Sequence, residues 1–329
     1  MTRIFAIRAL FVTAASLCSA SAFSASPTTT SAKLFSSHAD HRNRASLAGA
    51  AWGANANSAN AILTYLEING WLLSTGGATI LIDPILEGAL DFGIPTIYSA
   101  SKRELPSEGL SDELPTIDCL LITQGLDDHA HTRTLKKLAN ILDSDVCVIA
   151  PPSARGALEQ SGFVGARNKY IKPGSQVNFD NEGELTIKAT TGALVGPPWQ
   201  ARENGYIIRT TAGPSIYIEP HVEYNVKELR NEAPVDIVIT PISGQGLPAF
   251  ELVHGPSDVL RLVQTLKPKY VVPMQNGDVD AEGLASSLVQ GVGSPEEFRA
   301  MLSKAQRPDE RRVEVINTIP GEEIVLNIL

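Results

Sequence analysis

A chain of 329 residues, 43% hydrophobic and 19% charged, carries apolar material for one large core or two small ones. Its formal charge is −9, and past Asn57 it holds 22 basic against 35 acidic side chains, an acidic balance without a basic stripe that excludes nucleic acid as an expected partner. No later stretch stays apolar for the roughly 20 residues of a membrane-spanning helix, so no membrane span is expected in the mature protein.

Residues 1–57 read as targeting sequence. A basic start, Met1 to Arg3, precedes a mostly apolar run from Ile4 to Leu17 and small residues from Ser19 to Ala22. Ala20-Ser21-Ala22-Phe23 resembles the signal-peptide junction of bipartite plastid presequences in diatoms and related algae. Ser24 to Asn57 is rich in Ser, Thr and Ala and holds a single acid, Asp40, which suits a transit peptide. Delivery to the plastid (chloroplast) is the expectation. A secretory signal with a disordered arm is the alternative.

Residues 58–329 read as the folded domain. Ile62, Tyr65, Trp71, Leu73, Ile80 and Ile82 belong to three β runs broken at Asn69-Gly70 and Gly76-Gly77, the turn chemistry of an antiparallel meander. Glu87 to Glu113, rich in Gly, Pro and Ser, reads as a long excursion. Ile117 to Ile122 is an apolar strand that stops at a loop holding Gln124, Asp127, Asp128, His129 and His131, with a helix after Thr132. Val146 to Ala150 is the next strand, and Ser153 to Gln160 a helix. Cys119 and Cys147 sit in these two strand runs and read as reduced core cysteines on neighbouring strands, with a redox pair as the alternative.

Glu184 to Thr190, Tyr206 to Thr210, Ser215 to Glu219, Val235 to Thr240 and Tyr270 to Pro273 continue the strands, with a turn at Ala212-Gly213-Pro214. Ser243-Gly244-Gln245-Gly246 reads as a turn. Gly255-Pro256 opens a helix, and Ser294-Pro295-Glu296-Glu297 is a strong helix start. Arg312 to Ile316 and Glu323 to Ile328 are the last strands. No fixed-period repeat is present, and no nucleophile elbow or phosphate-binding glycine loop.

The loop after Ile122 resembles that of the metallo-β-lactamase superfamily, whose His-x-His-x-Asp-His frame is occupied here by Gln124, Leu126, Asp128 and His129. The "ILIDP" run ending at Asp83-Pro84 is similar to the strand that precedes the family's metal loop. The resemblance spans Ala61 to Leu329 and implies an α/β fold, the four-layer αββα sandwich of the metallo-hydrolases. Residue by residue, Leu194 falls at the family's next histidine, His221 at its bridging aspartate and Gln275 at its last histidine. This implies that the first metal position is lost. The second keeps Asp128, His129 and His221, with Gln275 as a weak carbonyl ligand.

Two functions follow from the resemblance. One is a hydrolase holding at most one divalent metal (zinc, iron or manganese) on Asp128, His129 and His221, with Asp128 also catalytic, acting on a small ester, lactone, amide or phosphoester. The other is a pseudoenzyme or small-ligand-binding module with no metal. In either, Gln124, Asp127, His131, Glu219 and Gln275 are expected to line the pocket, with Glu219 placed to orient the His221 ring and an exposed strand end as the alternative. Capping of the following helix is the competing role for Asp127 and Asp128. The partner is a small molecule, and the sequence is silent on oligomeric state.

Overall fold

The computed structural model describes residues 60–165, 167–179, 185–195, 199–211, 213–248, 250–309 and 311–328. The proposed presequence, Met1 to Asn57, lies outside them, as do Glu184, Gly196 to Pro198 and Ala212.

The meander forms as β1 (Asn60–Tyr65), β2 (Trp71–Thr75) and β3 (Ala78–Ile82), paired antiparallel across the two Gly-containing turns. The excursion carries the short β4 (Ser99–Ser101). β5 (Cys119–Leu121) then pairs in parallel with β3. α1 (Thr132–Ile141), β6 (Cys147–Ala150), α2 (Arg155–Ser161) and β7 (Asn168–Tyr170) extend this parallel half.

The second sheet starts antiparallel, with β8 (Gln176–Asn178), β9 (Leu185–Thr191), β10 (Asn204–Thr210) and β11 (Ile216–Ile218). After α3 (Val226–Arg230), β12 (Ile237–Pro241) joins in parallel. The segment read as a turn at Ser243 to Gly246 is instead largely a strand, β13 (Gly244–Leu247), bonded to β14 (Phe250–Val253). Glycines here mark close backbone approach: a Cβ on Gly244 would stand 2.6 Å from the Val253 carbonyl oxygen. α4 (Pro256–Leu266) and β15 (Tyr270–Met274) follow, then the short β16 (Asp280–Glu282) and β17 (Gln290–Val292). α5 (Pro295–Ala305) begins as its sequence predicts, with the Ser294 side chain accepting from the Glu297 amide. β18 (Glu314–Val315) edges the second sheet, while β19 (Glu323–Asn327) crosses back to pair with β1.

Each principal sheet has seven strands among the described residues. Side chains alternate across them, so each strand serves two cores. Leu63, Tyr65, Leu73, Ile80, Cys119 and Leu121 meet Ile187, Tyr206, Ile218, Ile239 and Met274 between the sheets. Leu72, Leu81, Leu120 and Val148 face outward onto Leu135, Leu138 and Leu158 of α1 and α2. Tyr217 and Val238 pack on Leu229, Leu262 and Leu266 of α3 and α4, and Val271 on Phe298 and Leu302 of α5. The result is the expected αββα sandwich. No helix among the described residues is long and apolar enough to cross a membrane.

Candidate metal centre

The C-terminal ends of β3, β5 and β11 deliver the polar groups. At the end of β3, Asp83 adopts a left-handed backbone conformation (φ 41°) and turns its carboxylate toward the next strand end. Its Oδ1 accepts from the Thr123 amide at 2.8 Å, and its Oδ2 from the Thr123 hydroxyl. That bracing lets the loop after β5 fold tightly. The Leu126 carbonyl accepts from His129 and Ala130 amides at 3.0 and 2.7 Å, and this turn brings His129 beneath Thr123. Gly125 is needed there, since a Cβ would stand 2.5 Å from the Ser153 carbonyl carbon.

His129 is fully buried. Its Nδ1 lies 2.8 Å from Asp83 Oδ2 and 3.0 Å from Thr123 Oγ1. Its Nε2 lies 3.3 Å from Asp128 Oδ2 and 3.2 Å from Asn69 Nδ2. Asn69 also donates to the Asp128 carbonyl, so the β1–β2 turn reaches into the site.

His221 comes from the turn after β11. The Glu219 carboxylate accepts from the His221 and Glu223 amides at 3.1 and 2.8 Å, and Val222 takes a left-handed conformation (φ 58°). Glu219 therefore shapes the turn through the backbone; no hydrogen bond links it to the imidazole it was expected to orient. The His221 ring sits 5.3 Å from that of His129, centroid to centroid. Gln124 Nε2 approaches its Nδ1 at 2.7 Å. Ile68, Asp83 and Val222 all hold left-handed conformations that cost non-glycine residues about 1–3 kcal/mol each, and each borders this site.

Asp128, His129 and His221 offer ligand atoms that all lie within 4.8 Å of one another. A tetrahedral ion with bonds of about 2.1 Å would draw them to roughly 3.4 Å. The donor set suits one ion: a carboxylate and two imidazoles are common ligands of zinc, iron and manganese. Asp128 Oδ1 and Gln124 Oε1, on the same loop, are buried without a hydrogen-bond partner, so two oxygens are left for an ion or ligand to satisfy.

The charges are strongly coupled. Burial works against a charge on His129, yet Asp128 and Asp83 outweigh it and push its pKa up to about 10. Burial and the neighbouring His129 charge push His221 down to about 3, which leaves it a neutral imidazole. Asp128 is pulled upward by burial but held below the usual carboxylate range by His129 and His221. Burial raises Glu219 to about 8.

Other expected residues stand elsewhere. Asp127 Oδ1 accepts from the Thr132 amide at 3.0 Å, which caps α1. His131 is buried with its Nδ1 2.9 Å from Thr134 Oγ1. Gln275 does not point its amide at the cluster: its Nε2 donates to the Thr318 carbonyl and hydroxyl, because β15 runs beside the segment carrying Thr318. Leu126 and Leu194 are only partly buried, and neither joins an apolar cluster among the described residues. Asp83, Asn69 and Thr123 were missed as site residues. Glu203 was missed too; it is buried, accepts from the Ser153 hydroxyl at 2.6 Å, and is raised to about 7 by burial.

Residues 62–275 match the family model for the beta-lactamase superfamily domain. A UPF0173 metal-dependent hydrolase of Anaeromyxobacter dehalogenans is 26% identical over 256 residues, 73% of this chain and 80% of the relative. One of the same description from Carboxydothermus hydrogenoformans is 24% identical over 231 residues, covering 64% and 83%. Among solved structures, a metallo hydrolase of the archaeon Ignicoccus hospitalis superposes with a TM-score of 0.56 at 18% identity, covering 82% of this chain and 100% of the other. An isothiocyanate hydrolase from Delia radicum gut bacteria gives 0.54 at 17% identity, covering 82% and 100%. Both structures share the fold.

Proposed function

This chain belongs to the beta-lactamase superfamily, and from that premise we propose that it is a metal-dependent hydrolase with one divalent ion. The observation that carries the reading is the convergence of Asp128, His129 and His221 from two strand ends, with unsatisfied oxygens on the same loop. Relatives described as metal-dependent hydrolases support it. The ion would be held by these three residues and would supply Lewis acidity toward a carbonyl or phosphoryl group. Asp83 keeps the proton on His129 Nδ1 and turns Nε2 toward the site, as carboxylates behind metal-bound imidazoles do. Asp128 presents Oδ1 as a place for a proton released from the attacking water. A small ester, lactone, amide or phosphoester is the substrate class, and Leu126 and Leu194 leave no ligand atoms for a second ion.

One observation favours a second reading, a metal-free binding pocket: Asp128 already occupies His129 Nε2. Elemental analysis of the purified protein separates the two. The hydrolase reading expects up to one equivalent of zinc, iron or manganese, restored after chelation; a chain that takes up none leaves the binding module, and two equivalents overturn the one-ion site. Plastid delivery by residues 1–57 is a separate part of the proposal, resting on Ala20 to Phe23 and the acid-poor stretch behind it. A reporter fused to these residues should enter algal plastids, and Phe23→Ala should divert it; secretion would refute this.

A further inference from the structure

Away from the candidate centre, two thiols face each other in the first sheet. Cys119 opens β5, Cys147 opens β6, and they are direct partners in the parallel register. Neighbouring strands lie about 4.8 Å apart, inside the roughly 4.4–6.8 Å window of disulfide-linked Cα atoms. The side chains share a face: Cys119 is buried in the core between the sheets and Cys147 packs against that core, half-buried. Cys147 Sγ donates to the Arg167 carbonyl at 3.7 Å.

The two thiols also differ in reactivity. Burial pushes the Cys119 thiol up. The neighbouring Cys119 thiol holds Cys147 below the usual thiol range, and Lys169 and Arg167 act in the same direction. The accessible sulfur is thus the better nucleophile, and the closed one stands where a resolving thiol must.

We propose that Cys119 and Cys147 are a site of reversible intramolecular disulfide formation, exchanged with a small-molecule or protein disulfide. In the first step the Cys147 thiolate attacks one sulfur of the external disulfide, forming a mixed disulfide and releasing a thiolate. In the second, Cys119 gives up its proton to that departing group and attacks Cys147 Sγ, expelling the second thiolate. Two protein thiols are oxidised and one external disulfide is reduced to two thiols. The oxidant need reach only Cys147. The new bond closes the chain between β5 and β6 around the candidate metal loop.

Glutathione and glutathione disulfide at a series of ratios test this on the full chain, with alkylation and peptide mapping so that Cys18 is followed separately. The expected product joins the Cys119 and Cys147 peptides, forms with one midpoint, is reversed by dithiothreitol, and raises the thermal midpoint by roughly 5–10 °C. Cys119→Ala should trap Cys147 as the mixed disulfide with glutathione. Cys147→Ser, a change at the half-buried position, should leave Cys119 reduced. Wild-type chain that accumulates the mixed disulfide with Cys119 still alkylatable after unfolding would overturn the proposal. So would both thiols staying reduced in a mixture that oxidises an exposed control thiol.

Discussion

His129 Nδ1 stands 2.8 Å from Asp83 Oδ2, and neither side chain is exposed to solvent. The contact ties the end of β3 to the loop after β5, and Asp83 also anchors Thr123 through its amide and hydroxyl. Removing the carboxylate strands a buried positive ring and an amide together. Asp83→Ala is expected to lower stability by about 3–5 kcal/mol in urea unfolding. Asp83→Asn keeps the shape but loses the charge, and zinc affinity should fall about 10–100-fold. Zinc binding unchanged in Asp83→Asn would remove Asp83 from the site.

Stability of the metal-free protein should depend on pH with a definite sign. His129 is raised to about 10, so its contribution is complete below the unfolded value near 6.5 and is lost as pH rises toward 10. Glu203 and Glu219, raised to about 7 and 8, contribute below about 4.5 and lose that contribution as pH rises through those values. His221, depressed to about 3, contributes above 6.5 and loses it as pH falls toward 3. Between pH 7 and 10 two groups oppose that decline: burial pushes Lys102 down to about 7, and Cys147 is held below the usual thiol range, so each gains as pH rises toward its unfolded value. With those two groups removed, the urea midpoint of the chelated Lys102→Met, Cys147→Ser protein should fall across that range, and a flat or rising midpoint there contradicts the buried charge on His129.

Gly125→Ala tests how closely the loop is seated. The added Cβ would meet Ser153 carbonyl carbon and oxygen at 2.5 and 2.6 Å and the Ala154 amide nitrogen at 2.9 Å, all backbone atoms. Backbone cannot swing aside, so a cost of about 1–3 kcal/mol is expected, together with weaker metal binding as Gln124 and Asp128 shift. A variant with wild-type stability and wild-type zinc affinity would show that the loop has room.

The sequence made the strands, their ends and the loaded loop legible because alternation and turn residues report local structure directly. The β1–β2–β3 meander, α4 and α5 are cases of that kind. Asp83 shows the limit. "ILIDP" announced a strand end, but only the parallel pairing of β3 with β5 carries its carboxylate to His129, 46 residues away. Gln275 shows the same limit from the other side: matching by position placed it at the metal, while the Thr318 neighbour that holds its amide could not be read from its own segment. Short strands such as β4, β16 and β17 have no pattern of their own to find.

Proton release separates a metal bound at His129 from one bound nearby. In the free protein Asp128 and Asp83 hold the imidazole protonated up to about pH 10. An ion can take His129 Nε2 only when that nitrogen has lost its proton, whereas His221 is already neutral at pH 7 and releases none. Zinc titrated calorimetrically at pH 7 into chelated protein, in two buffers of different ionisation enthalpy, should therefore show about one proton leaving per ion. His221→Ala should abolish stoichiometric binding, because Asp128 and His129 alone leave too few protein ligands for zinc. Binding without proton release would place the ion away from His129 Nε2, and binding that survives His221→Ala would take His221 out of the ligand set.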